Sequence, residues 1–173
     1  DCLLSRGLGD VYKRQEMNMD YRIENIESTK VIGAYRHYKS GGHAQSNIPD
    51  FWEDVHTMKL DERLLQKSDN QLNGLLGVCL PKEDRTMDYA IGVTSTEDPH
   101  DGLETFNLEG GKYLVVEAKG PVPKSVQQTM NDIHHELIPR ENIEIKQAPF
   151  FELYGPGDTQ SESYVTEIWM PIQ

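Results

Sequence analysis

Twice along this chain the hydrophobic pattern reads strand, strand, helix, strand, strand, with the second pass starting roughly 80 residues after the first. Segments 21–26 and 30–38 alternate or run β-rich. Lys39 to Asn47 is small and polar, and reads as a loop. Pro49 then stands where a first helical residue is expected, with Ser46 or Asn47 near the cap. From Pro49 to Leu60, helical spacing aligns Phe51, Val55 and Met58. The stretch 61–73 is polar and ambiguous, with one helical turn conceivable through Leu64 and Leu65. Segments 75–80 and 87–94 form a hairpin about the charged turn 81–86.

The second pass begins with segments 104–108 and 112–119 around Glu109-Gly110-Gly111. Val126, Met130, Ile133 and Leu137 follow at helical steps, and Pro139 reads as the stop. Segments 148–154 and 163–172 flank Gly155-Pro156-Gly157-Asp158 as a last hairpin. Two such units predict an α+β fold. The duplicated units would form a curved antiparallel sheet, with two main helices on one side and a ligand cleft at a pseudo-twofold axis.

The closing strand carries one carboxylate in an apolar run. Alternation puts Tyr164, Thr166, Ile168, Met170 and Ile172 on one face, which reads as core, and Val165, Glu167 and Trp169 on the other. An acid beside an indole is costly to bury alone. A cation held by both carboxylate and ring face would satisfy it; an exposed glutamate on an edge strand is the plainer alternative.

The formal charge of −12 argues against binding nucleic acid or an anionic membrane. No apolar run approaches the roughly 18–20 residues needed to span a bilayer. Cys2 and Cys79 are too few for a disulfide framework and suit a reducing cytoplasm. Cys79, in an apolar strand, reads as an inert buried thiol. His134 and His135 are adjacent on a helix, about 100° apart, so they do not make a metal pair, and no cofactor motif is present.

Residues 1–15 do not read as domain sequence. Asp10 to Gln15 looks like the in-frame translation of a transposon mosaic end, so 1–15 is taken as a cloning or sequencing-adapter scar, expected to be disordered. The domain is expected over 16–173. Met17 or Met19 would then be a start, unless an upstream domain has been lost.

KVIGAYRH, IPDFWEDV, LLGVCLP with MDYAIGV, LEGGKYLVVEAKGPV and FFELYGPGD…YVTEIWMPI occur in an order and spacing that resemble the GyrI-like small-molecule-binding family, the AraC- or BmrR-type bacterial effector-binding domain. The resemblance covers residues from about Asp20 to Gln173. It implies a duplicated fold with a hydrophobic cleft, and multidrug sensing or sequestration of amphipathic, often cationic aromatic molecules. By motif, the family's ligand-meeting glutamate falls on Glu167, with Trp169 beside it.

Tyr89 is either a core tyrosine or a cleft residue. Glu152 and Tyr154 share a face with Phe150, and Glu152 reads first as solvated, second as another cleft carboxylate. Tyr35 and Tyr38 lie on opposite faces of one strand, so only one of them lines the cleft; Tyr38 is the one carried as a candidate. Trp52 reads as packing its helix onto the sheet. The resemblance also implies two alternatives: hydrolysis of strained cyclopropane-type electrophiles with Glu167 as the base, or a protein-interaction role with DNA gyrase. A fused or associated helix-turn-helix domain is a further implied partner. With no GxSxG and no orienting partner for a base, the residues favour binding over catalysis.

Overall fold

The structure, a computed structural model, describes residues 20–173. The readings of 1–15 as a scar, of Cys2, and of Met17 or Met19 as a start fall outside the described residues. Eight strands form one antiparallel sheet: β1 Tyr21–Ile26, β2 Thr29–Tyr38, β3 Leu75–Pro81, β4 Met87–Thr94, β5 Glu104–Leu108, β6 Gly111–Lys119, β7 Phe150–Tyr154 and β8 Val165–Pro171. Their order is β1-β6-β8-β7-β3-β4-β2-β5. Exchanging each strand of the first unit with its counterpart in the second reproduces this order in reverse, so the predicted duplication is a twofold in space. The axis passes between β7 and β3. Each unit also lends its first strand to the other: β1 pairs with β6, and β5 with β2.

The first helix, α1, spans Gly41–Thr57 and so begins well before Pro49. The loop expected over 39–47 is therefore helical from Gly41 on. Ser40 is the cap: its hydroxyl accepts the His43 N–H at 3.1 Å. Pro49 sits inside the helix, where it deprives the Gln45 carbonyl of its usual donor. Ala44, Phe51 and Val55 are buried by the sheet, and that packing outweighs the proline's preference for a first turn. Met58 leaves the predicted stripe: it is the C-cap and 65% exposed. The ambiguous stretch is helix α2, Leu60–Lys67, anchored by fully buried Leu64.

Helix α3, Lys124–Asp132, also differs from expectation at its end. It runs on through a π-helical turn, Ile133–Leu137, into the short α4, Ile138–Glu141, so Pro139 does not stop it. The π turn closes with Ile138 N–H donating to Ile133 O, which changes the bonding frame just before the proline. Asn142, at φ 52°, ends the helix in the left-handed region.

Both faces of the sheet are covered. On one face, residues of seven strands (among them Val31, Val78, Tyr113, Phe151 and Trp169) close on one another in an aromatic core. Phe151 and Trp169 stack there at 5.3 Å and 15°. The other face carries the helices. α1 packs on β2 and β4, α2 on β3 and β4, and α3 on β6 and β8. Strand β7 runs along the seam between these two helical layers. Its inward residues Phe151 and Leu153 are buried, whereas Phe150, Glu152 and Tyr154 on the helical face are only half-buried.

Candidate functional site

The side chains with unusual chemistry meet at that seam. Glu152 of β7 stands opposite Gly77 of β3 and Ile168 of β8, next to the twofold. The Tyr89 hydroxyl, from β4, donates to Glu152 Oε2 at 3.3 Å and accepts the indole N–H of Trp52, from α1, at 3.0 Å. Tyr154 also hydrogen-bonds Glu152, and its ring meets Trp52 edge-on at 5.0 Å and 71°. Phe51 adds an edge contact to Tyr89 at 6.2 Å.

Room for this arrangement comes from Gly77. A Cβ there would lie 2.0 Å from the Tyr89 hydroxyl oxygen and 3.1 Å from Glu152 Oε2. The missing side chain lets a phenol cross the central strand and reach the carboxyl.

Glu152 has no ion-pair partner among the described residues. The guanidinium of Arg36, over the Phe51 ring at 4.4 Å, is taken by Asp54 at 2.7 Å. Burial therefore dominates the carboxyl and pushes its pKa to about 7, while the hydrogen bonds from Tyr89 and Tyr154 pull it partway back. A folded-state value above the unfolded one means the proton stabilises the fold. That stabilisation is complete below the unfolded value of 4.5 and is lost as pH rises through about 7. Burial likewise pushes the Tyr89 and Tyr154 hydroxyls and the Cys79 thiol well up, so none of these is a ready anion. Glu152 and Tyr154 keep some exposure to solvent, so the cluster is not wholly sealed.

The structure separates the sequence candidates. Tyr89, Tyr154 and Glu152 come together, and Glu152, first read as solvated, is the enclosed carboxyl. Trp52 does pack its helix, as read, but its N–H also orders Tyr89. Tyr38 is on the same sheet face but is 4% exposed under α1, with its ring edge-on to His43 at 5.7 Å. No contact joins it to Glu152.

Glu167 and Trp169 lie on the opposite face of the sheet from Glu152. Glu167 pairs in register with Leu153 and Trp169 with Phe151, both on the aromatic-core side, whereas Glu152 pairs with Ile168. The cation expected for Glu167 is supplied internally: Arg22 of β1 reaches Oε2 at 2.6 Å and lies 5.9 Å from the Trp169 ring centroid. Trp169 Nε1 donates to Oε1 at 3.2 Å.

Two residues of the cluster carried weak signals. In FFELY, both faces of the strand around Glu152 are apolar or aromatic, which marks a strand covered on both sides. Gly77, inside an apolar strand, marks a close approach. Among the described residues no group of three or more His, Cys, Asp or Glu is placed to hold a metal ion. No helix among the described residues is long and apolar enough to cross a membrane. A surface cavity of about 300 Å³ beside α2, rimmed by Arg63, Lys67, Glu97 and Asp101, is separate from the cluster.

A family model described as the GyrI-like small molecule binding domain matches residues 19–173. Among solved structures, a candidate bacterial transcription regulation protein from Staphylococcus aureus MU50 is 40% identical, with a TM-score of 0.83 over 90% of this chain and 99% of that one. SAV2435 bound to tetraphenylphosphonium is 39% identical, with a TM-score of 0.82 over 90% and 94% of the two chains. An integron cassette protein from the mobile metagenome of Vibrio cholerae shares the fold at 16% identity and a TM-score of 0.60, over 88% and 95%. No curated protein matches the chain significantly.

Proposed function

The chain belongs to the GyrI-like small-molecule-binding family, and from that premise we propose that its seam binds lipophilic aromatic cations with Glu152 as the charged contact. One observation carries the reading: a carboxyl among aromatic rings with no cation of its own. Such a group is destabilising in the empty protein and is satisfied by a cation that also covers the rings. Trp52, Tyr154 and Phe150 would supply the apolar contact. The phosphonium bound by a 39% identical structure belongs to this ligand class. We read the domain as a multidrug-type sensor or sequestering module, with transcription control as the context suggested by the Staphylococcus relative.

Thermal unfolding tests this. Tetraphenylphosphonium at a hundredfold excess over Kd should stabilise the wild type by about 2.7 kcal/mol, or roughly 5–10 °C in Tm. Glu152→Gln should behave in the opposite sense on both counts. At pH 8 the empty variant should be about 1–3 kcal/mol more stable than the wild type, because an unpaired buried charge is gone, and its response to the phosphonium should shrink. A variant as responsive as the wild type would sink the reading.

The same carboxyl favours a second reading. A glutamate titrating near neutrality beside a tyrosine hydroxyl is suited to general acid or base work on a strained electrophile. Turnover of a cyclopropane-bearing compound, lost in Glu152→Gln while the compound still binds, would establish it. Binding without any turnover in the wild type would leave the seam a receptor only.

A further inference from the structure

We propose that ligand binding at the seam is a proton exchange: the empty site keeps a proton on Glu152, a permanent cation expels it to solvent, and a neutral ligand bearing a hydrogen-bond acceptor binds with it retained. This deepens the preceding reading and rests on it. It would let one site accept two ligand classes that a fixed charge would separate.

The geometry argues for the proton. An ionised carboxylate draws a hydroxyl donor to about 2.5–2.7 Å, whereas Tyr89 stands 3.3 Å from Oε2. That hydroxyl accepts the Trp52 N–H at 3.0 Å and gives its one hydrogen to the carboxyl, and Tyr154 adds a second hydrogen bond, so two neutral hydroxyls and no cation serve Glu152. Arg36, the cation over the Phe51 ring, is tied to Asp54 at 2.7 Å.

Every group facing Glu152 is neutral at physiological pH. β4 presents Tyr89, β3 presents Gly77 and Cys79, α1 presents Trp52, and β8 presents Ile168. On its own strand stands Tyr154, with Tyr164 beyond it. Nothing in contact competes for the proton between pH 6 and 8. Burial, which lifts the carboxyl to about 7, agrees with this geometry. Glu152 keeps some exposure to solvent, so a released proton has a way out.

In the exchange a tetraarylphosphonium cation enters, the Glu152 O–H bond breaks heterolytically, and the proton passes to water or buffer. The site stays neutral throughout. A neutral acceptor takes a hydrogen bond from the same O–H, and no proton leaves.

The test is calorimetric titration of the full chain at pH 6, 7 and 8, each in two buffers of different ionisation enthalpy. The probes are tetraphenylphosphonium and neutral triphenylphosphine oxide. Between pH 8 and pH 6 the phosphonium affinity should fall about tenfold, in proportion to the deprotonated fraction. Proton release should approach one per ligand at pH 6 and near none at pH 8. The oxide should show the reverse trend. Glu152→Gln should be flat with pH for both probes while still binding the oxide, which shows that it is folded.

A phosphonium affinity equal at pH 6 and 8, without proton release, would overturn the exchange while leaving the site intact, provided that Glu152→Gln still weakens the phosphonium. No phosphonium binding, or binding indifferent to Glu152→Gln, would overturn both. The proton count is taken on the wild type, so the test does not depend on the variant.

Discussion

Replacing Gly77 with alanine is expected to destabilise the fold by about 1–3 kcal/mol and to weaken phosphonium binding at least tenfold. The new methyl group would stand 2.0 Å from the Tyr89 hydroxyl oxygen and 2.9 Å from the carbon that bears it. Tyr89 is 2% exposed, so it cannot yield by turning into solvent. It must move bodily, and moving it breaks both the bond from Trp52 and the bond to Glu152. Denaturant titration measures the first effect and calorimetry the second. Tyr89→Phe in the same background removes the atom of closest contact, so the double variant should recover part of the stability lost. That recovery is a coupling of neighbours that additive effects would not produce. A Gly77→Ala protein with wild-type stability and affinity would show that the strand has slack the structure does not have.

The alternation of β8 was fully legible in the sequence: Tyr164, Thr166, Ile168 and Met170 do share a buried face, and Val165, Glu167 and Trp169 do share the other. What alternation cannot say is which face meets the seam, because both faces of this sheet are covered. That depends on strand order, on β8 lying between β6 and β7, and on the side the helices choose. Glu167 and Glu152 sit in adjacent strands with comparable apolar surroundings, yet they project in opposite directions. The partner of Glu167, Arg22, lies 145 positions away in sequence, and only the exchange of first strands between the units brings β1 alongside β6.

The helix ends were less legible, for local reasons. Pro49 is a good first-turn residue, but Ser40 is a good cap, and burial of Ala44 decides for the longer helix. Pro139 looks like a stop, but the preceding π turn carries the chain past it. The duplication itself was the strongest signal, because each unit repeats a sequence of periods and not a sequence of residues.

The account turns on which carboxylate meets the ligand. Glu167 already has Arg22 and the Trp169 N–H, and its ion pair is half-exposed, so removing its charge should cost at most about 1 kcal/mol of stability. Glu152 has hydroxyl partners only. Removing its charge should cost about 1–3 kcal/mol of binding to a cation, or tenfold to more than a hundredfold in Kd. The decisive measurement is the tetraphenylphosphonium Kd of Glu152→Gln and Glu167→Gln side by side at pH 8. The structure predicts at least a tenfold loss for the first and a change within about twofold for the second. The reverse order would place the ligand against the Arg22 side of the sheet and contradict the account.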